Sequence, residues 1–223
     1  MTVDFMYKLM LEIINKNQQG YLPPAGFNNY INQSSISYMS FLFGQTQQYS
    51  PGRPIARVEL GMNEILAQRL APFVDPIYTL TINGSGVAPY PPNYEQIVAM
   101  FTNTGLQRIR YAEKDKIYSL ANSVIDPVAT NPIYSIQNNG FQFYPITLGN
   151  AKISYVKTPP EIIWAFILDD KGRAIYDAGN SVDPLWNDVD CLEIITRALA
   201  MVGVNLQSAA VIQYANQITK GGQ

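Results

Sequence analysis

Apolar residues in the first 71 positions recur every three or four residues, the spacing of one face of an α-helix. The first such run begins at Val3 and ends before Gly20, a residue type that favours the position just after a helix. A second predicted helix follows Pro23 and Pro24, and a third ends at Pro72. The three apolar faces comprise Val3, Met6, Tyr7, Met10, Ile13 and Ile14; Phe27, Ile31, Tyr38, Phe41 and Leu42; and Val58, Met62, Ile65, Leu66 and Leu70.

The spacing of apolar residues changes to every second position between residues 73 and 178, which predicts β-strands. Three turn sequences separate these runs: residues 83–86 (NGSG), 138–140 (NNG) and 170–172 (DKG). The second turn predicts a hairpin of residues 133–136 and 141–144, and the third predicts one of residues 162–168 and 173–176. A short helix is expected at residues 114–120, inside this β-rich stretch.

Helical spacing returns between residues 184 and 219. Asn187 or Asp188 suits the N-cap of the first helix there, because its side-chain oxygen can accept from an unpaired backbone N–H. Gly203 suits the C-terminal end of the same helix.

The order helices, strands, helices predicts an α+β fold. Chain ends often lie close together in a domain. We therefore expect a discontinuous helical bundle of residues 1–72 and 184–223, with residues 73–183 inserted as a β-rich domain.

The composition favours contact with other protein. Charged residues make up only 14% of the chain, against about 25% in a typical soluble protein. Neutral amides, hydroxyls and tyrosines must therefore cover much of the surface, and they are less costly than unpaired charges to bury against a partner. The alternative is an ordinary soluble protein with few charges.

The charge balance argues against a protein that grips nucleic acid. The formal net charge is −2, and non-specific DNA binding depends on lysines and arginines that neutralise phosphates. The densest basic cluster consists of Arg108, Arg110, Lys114 and Lys116, interleaved with Glu113 and Asp115. We interpret it as a solvated face.

Several features bear on where the protein is made. Cys191 is the single cysteine, so neither an internal disulfide nor a zinc site of several thiolates is expected. Asp4 and Lys8 interrupt the first apolar stretch, so no signal peptide is expected. No window approaches the roughly 20 apolar residues of a membrane span. We expect the chain to be made and folded in a cytoplasm.

The chain contains no histidine, which excludes a Ser-His-Asp triad, a Cys-His pair and imidazole metal sites. Asp169 and Asp170 could form an acid pair, but a hairpin turn explains them better. The denser group Asp183, Asp188 and Asp190 could bind a metal, yet helix capping is favoured. No phosphate-binding loop is present. We therefore expect no catalytic residue, cofactor or metal, and no enzyme.

Three polar segments beside apolar ones are predicted to contact other subunits: residues 44–54, 83–90 and 207–223. The second is expected to be a mobile hairpin tip, and its deletion should leave a folded subunit that assembles poorly. The candidate interface residues are Tyr49, Arg53, Asn83, Ser85, Val87, Tyr90, Tyr214 and Lys220.

Three stretches carry a resemblance to a known family. They are residues 18–24 (QQGYLPP) with Phe27 and Asn28; the series 122–127 (NSVIDP), 131–134 (NPIY), 140–145 (GFQFYP) and 153–160 (ISYVKTPP); and residues 186–204. Together they resemble the ring-forming head-to-tail connector (adaptor or tail ring) proteins of tailed bacteriophages, especially short-tailed phages of the crAss-like group.

The resemblance implies a structural virion protein that forms a homo-oligomeric ring, often of twelve subunits in this family. The ring would join the portal protein to other tail or ring proteins, and double-stranded DNA would pass through its centre without sequence-specific contact. Simple portal adaptors are mainly helical. The strands in the middle of this chain therefore favour an adaptor with a β insertion, or a ring further down the tail of the virion.

Two other functional classes stay open at this point. The 15 tyrosines and two tryptophans allow a glycan-binding β module at a host surface, since such residues stack on sugars and bury well. Asp183, Asp188 and Asp190 allow a metal-assisted hydrolase. Another structural protein of the phage tail would also fit the composition.

Overall fold

The computed structural model describes residues 1–16, 21–46, 64–105, 107–114, 116–117 and 127–203. Helices and strands both contribute substantially, which confirms the predicted α+β fold. In chain order the elements are α1 (Val3–Lys16), α2 (Pro24–Thr46), α3 (Glu64–Leu70), a 3-10 turn (Ala71–Phe73), β1 (Val74–Thr81), β2 (Val87–Pro89), β3 (Tyr94–Thr102), β4 (Arg110–Tyr111), β5 (Ile133–Gln137), β6 (Gly140–Tyr144), β7 (Asn150–Lys157), β8 (Phe166–Leu168), β9 (Ala174–Tyr176) and α4 (Asp188–Val202).

The chain divides into two compact units. The helical unit consists of residues 1–43 and 159–223, and the strand unit consists of residues 44–158. We expected the changes between domains at 72/73 and 183/184. Both changes lie earlier, at 43/44 and 158/159, so α3 belongs to the strand unit. The second change lies earlier because side chains of α2 form hydrogen bonds with the backbone of residues 162 and 164.

The helical unit buries the apolar faces of its helices. In α1 the buried residues are Val3, Met6, Tyr7, Met10 and Ile14, in agreement with the predicted face. In α2 the predicted residues Phe27, Ile31, Tyr38 and Leu42 are buried, but Phe41 is exposed. At 100° per residue Phe41 lies at the border of the buried stripe, so the expectation for this residue was wrong.

Both predicted ends of α4 are confirmed. Asn187 is the N-cap, and its Oδ1 accepts from the backbone N–H of Asp190 at 2.8 Å. Gly203 ends the helix in the left-handed conformation with φ of 77°. Trp186 lies just before the helix and donates from Nε1 to Oγ of Ser35 at 2.9 Å, which fastens the start of α4 to α2.

The segment that precedes β8 is held to α2 by side chains. The amide of Asn32 donates to the carbonyl of Ile162 and accepts from its N–H, at 2.9 and 2.8 Å. Ile163 instead exchanges both backbone hydrogen bonds with Val182. We expected a continuous strand over residues 162–168. Side-chain amides take the place of a neighbouring strand here, and β8 begins only at Phe166.

The described residues of the strand unit form two sheets. One has the order β1-β7-β3 with antiparallel neighbours. The other has the order β2-β6-β5-β4, in which only the β4–β5 pair is parallel. One apolar cluster joins their inner faces; its buried members are Leu80, Ile82, Ala88, Ile97, Met100, Ile109, Tyr134, Phe141, Phe143, Ala151, Ile153 and Tyr155.

Local turn sequences lie where they were predicted. Strands β5 and β6 form a hairpin around Asn138 and Asn139, which confirms that expectation. Of the third predicted helix, the structure describes only α3, and Val58 and Met62 lie outside the described residues. The predicted helix at residues 114–120 is described only at residues 114, 116 and 117, which are helical.

Candidate assembly surfaces

Strands β8 and β9 form a hairpin that pairs with no other strand among the described residues. Its cross-strand pairs are Phe166 with Tyr176, Ile167 with Ile175, and Leu168 with Ala174. The base of the hairpin is anchored on Trp164, whose ring lies 6.0 Å from that of Phe166 and 5.5 Å from that of Tyr176.

The turn of this hairpin is organised by Asp169. Its Oδ1 accepts from the backbone N–H groups of Lys171 and Arg173, at 3.0 and 2.7 Å, and its Oδ2 pairs with the Arg173 guanidinium at 2.8 Å. The backbone N–H of Arg173 first, and its guanidinium next, lower the pKa of the Asp169 carboxyl. The predicted hairpin turn is therefore confirmed, and Asp169 serves the turn.

The hairpin exposes apolar side chains on both of its faces. Ile167 and Ile175 are 59% and 50% exposed on one face, and Leu168 is 66% exposed on the other. Because isolated two-stranded hairpins are marginally stable in water, burial of these side chains would stabilise the element. The turn sequence predicts the hairpin but not its exposure, because the pattern of apolar residues does not show whether a second layer covers either face.

A second surface runs along α2, a helix of 23 residues without a single charged side chain. Its exposed residues, among the side chains that the structure describes, are Ala25, Asn29, Gln33, Ile36, Ser40, Phe41 and Gly44. At its border the Arg197 guanidinium of α4 lies over the rings of Phe41 and Tyr38, 4.6 and 5.5 Å from their centroids. Surface helices normally carry charges on the solvent side, so this neutral face is typical of a contact surface.

The segment 83–90 differs from the expectation of a mobile tip. Asn83 closes the turn, because its Oδ1 accepts from the N–H groups of Ser85 and Val87 at 3.0 and 2.9 Å. Gln142 of β6 donates from its side-chain amide to the carbonyl of Ser85 at 3.0 Å. Asn83 and Ser85 are exposed, while Val87 is half-buried in β2.

The rest of that segment belongs to the sheet. Strand β2 pairs with β6, and Ala88 is buried in the core cluster. Tyr90 is half-buried, stacks on Tyr94 at 5.0 Å and donates a hydrogen bond to the Gln137 carbonyl. Deletion of residues 83–90 would remove strand β2 and the buried Ala88, so we no longer expect the deleted subunit to keep its fold. The other interface candidates, Tyr49, Arg53, Tyr214 and Lys220, lie outside the described residues.

The three carboxylates of the acidic cluster have separate structural roles. Asp183 accepts from the backbone N–H of Val3 at 2.7 Å, at the start of α1. Asp188 accepts from the ammonium group of Met1. Asp190 is buried in α4 and accepts from the Tyr38 hydroxyl at 2.6 Å. Among the described residues, no group of three or more acidic, cysteine or histidine side chains is arranged to hold a metal ion.

Cys191 is fully buried, and burial raises the pKa of its thiol to about 11. Such a thiol is protonated at neutral pH and is a poor nucleophile. Within the described part of the chain, no helix combines the length and apolarity needed to cross a bilayer.

Two surface clefts lie in the described part of the strand unit. The larger, of about 470 Å³, is lined mainly by neutral polar residues, including Thr102, Asn103 and Gln107. The smaller, of about 360 Å³, is mainly apolar and includes Lys152.

No model of a known protein family matches this sequence, and no curated protein matches it significantly.

Proposed function

We propose that this chain is a non-catalytic structural subunit of a tailed-bacteriophage virion. It assembles into a homo-oligomeric ring between the portal and the tail, and its neighbours are copies of itself, the portal protein and other tail or ring proteins. The phage setting rests on the sequence resemblance. The surfaces of the subunit supply the physical reason to expect assembly.

The observation that carries the proposal is the β8–β9 hairpin. It places Ile167, Leu168 and Ile175 in solvent on two strands that lack other strand neighbours among the described residues. Exposed apolar strands with open edges favour association, and soluble monomers normally protect such edges with charges or covering elements. A protein partner would bury these side chains and order the hairpin.

The neutral face of α2 supports the same conclusion. The cores of protein interfaces are depleted of charged residues and enriched in aromatic residues and arginine. Phe41 is exposed beside the Arg197 guanidinium, and the helix that carries Phe41 has no charge of its own. Aromatic and arginine side chains dominate binding energy at interfaces when a partner excludes water from them.

The function of such a subunit is mechanical. Contacts between unlike surfaces of successive copies form a closed ring only if the rotation between copies closes, so interface geometry determines the product. With a net charge of −2, the subunit has no strong attraction for phosphates. A channel with weak DNA contacts suits the passage of a moving polyanion.

The test is native mass spectrometry with electron microscopy of the purified chain, alone and with the portal protein. We expect rings of a single stoichiometry that bind the portal. The variant Ile167→Thr/Ile175→Thr keeps strand-forming residues but removes apolar surface, and it should weaken assembly. Val128→Thr is the matched control, since Val128 is similarly exposed in the strand unit. A chain that stays monomeric alone and beside virion proteins would overturn the proposal.

A second candidate function is glycan binding at a host surface, favoured by the neutral polar cleft in the strand unit. Its hydroxyl and amide groups include those of Thr102, Asn103 and Gln107, which match the hydrogen-bonding groups of a neutral sugar. A glycan array probed with the chain tests it. Binding that is lost in Asn103→Ala, without loss of folding, would favour this function.

A further inference from the structure

The apolar cleft of the strand unit lies where β1 departs from regular pairing. Asp75 pairs with Tyr155 and Tyr78 pairs with Ile153, so Pro76 and Ile77 form a bulge between the two pairs. Bulges re-aim side chains, and Ile77 is exposed here. The residues that line the cleft are Pro76, Ile77, Phe101, Gly105, Lys152 and Ile153.

Lys152 is the one charged residue among those that line this cleft. It lies opposite Thr79 on β1 and Phe101 on β3. No carboxylate of the described residues lies within 4 Å of its ammonium group, whereas Lys157 on the same strand pairs with Asp75 at 2.9 Å. The cleft therefore offers apolar walls and a cation without an ionic partner in the described part of the chain, which suits an apolar group next to a carboxylate.

The end of the β8–β9 hairpin has the matching chemistry. Leu168 is the most exposed apolar residue of the hairpin, and Asp170 follows two positions later in the turn. Asp169 is occupied by the backbone and side chain of Arg173, but Asp170 is exposed and makes no ion pair within the described residues. The hairpin thus presents an apolar side chain next to an available carboxylate.

We propose that the β8–β9 hairpin of one copy docks into the Lys152 cleft of the next copy. Leu168 packs against Ile77 and Phe101, and the Asp170 carboxylate pairs with the Lys152 ammonium. This inference rests on the proposed homo-oligomer and names its contact. The two surfaces are different, so the contact is head-to-tail, as a ring of identical subunits requires. The cleft volume of about 360 Å³ suits the end of a hairpin rather than a whole element.

A charge-swap experiment tests the pairing. Lys152→Glu and Asp170→Lys are made singly and together, and self-association is measured by sedimentation velocity over a range of protein and salt concentrations. Each single variant should raise the dissociation constant about tenfold or more, because like charges then face each other in a partly desolvated contact. The double variant should return it to within about threefold of the native value.

Lys171→Glu is the matched control, because it makes the same change of charge beside Asp170 without reversing the proposed pair. Thermal melts check the folding of every variant, and Asp170→Lys stays informative if Lys152→Glu is destabilised, since residue 170 lies in an exposed turn. The docking proposal is overturned if the single variants assemble like the native chain, or if the double variant does not regain the native dissociation constant. Either result leaves the proposed ring in place. A native chain that never self-associates overturns both.

Discussion

The side-chain amide of Asn28 forms two hydrogen bonds with the backbone of Trp164, 136 positions later in the chain. It donates from Nδ2 to the Trp164 carbonyl at 3.2 Å and accepts at Oδ1 from the Trp164 N–H at 2.9 Å. Asn32, one helical turn further along α2, repeats the arrangement with Ile162. The two amides therefore act as a substitute strand that holds an extended segment against a helix.

We expect Asn28→Ala to lower the free energy of unfolding by about 1–3 kcal/mol, because it leaves a backbone donor and acceptor of Trp164 without these partners. Urea unfolding followed by tryptophan fluorescence measures the loss. Asn29→Ala is the matched control, since Asn29 is exposed on the same helix. Equal stability of the two variants would contradict the role given to Asn28.

Gly140 should resist replacement more than any exposed glycine. Its φ is 150°, and a Cβ built there would lie 2.0 Å from the Ala88 carbonyl oxygen of β2. Gly140→Ala should therefore lower stability by about 1–3 kcal/mol through backbone strain alone. The contact of the new Cβ with the Ala88 carbonyl oxygen should lower it further. Gly149→Ala, where a Cβ meets nothing within 4 Å, should be close to neutral. Thermal melts of both variants check this, and similar melting temperatures would count against close packing of β2 on β6.

The β8–β9 hairpin should lose stability at acid pH. Hydrogen bonds from Arg173 lower the pKa of the Asp169 carboxyl in the folded state. Because the pKa is lower in the folded than in the unfolded state, ionised Asp169 stabilises the folded hairpin above the unfolded-state pKa, near pH 4. This stabilisation is lost as pH falls through the lowered folded-state pKa. In an NMR titration, the Arg173 amide signal should shift below pH 4 in the native chain and stay constant in Asp169→Asn. Titration of Asp169 at its ordinary value would contradict the turn geometry.

Asp183 should act as a cap for α1 rather than as a metal ligand. Asp183→Ala removes the acceptor for the Val3 N–H and should lower stability by about 1 kcal/mol. Glu193→Ala, on the exposed side of α4, should have little effect. Added Mg²⁺ should leave the native melting temperature unchanged. Stabilisation by Mg²⁺ that disappears in Asp188→Asn would instead favour metal-assisted chemistry.

Features that depend on neighbouring residues could be predicted from the sequence. The cap at Asn187, the end of α4 at Gly203 and the β5–β6 hairpin follow from local chemistry: a side-chain acceptor, a residue that tolerates positive φ, and a short turn. The buried face of α1 follows from helical spacing alone. In each case the structure-forming interaction lies within a few residues.

Features that depend on distant partners could not be predicted. Residues 87–89 became a strand because β6 offers an edge to them, and that edge comes from a segment about 50 positions later. The exposure of Ile167 and Ile175 depends on the lack of a covering layer, which alternation does not reveal. The absence of charged residues from α2 is evident in the sequence. Which of its neutral residues lie on the surface depends on which face packs against the rest of the helical unit.

The discontinuity of the helical unit also sets an order of events on the ribosome. Tyr38 and Asp190, which join α2 to α4, are 152 positions apart. At about 5–20 residues per second, Asp190 is added roughly 8–30 s after Tyr38. The strand unit, which is one continuous stretch, is complete before that time. The parts of α1 and α2 that α4 covers therefore stay exposed during this interval, in which a chaperone can bind them.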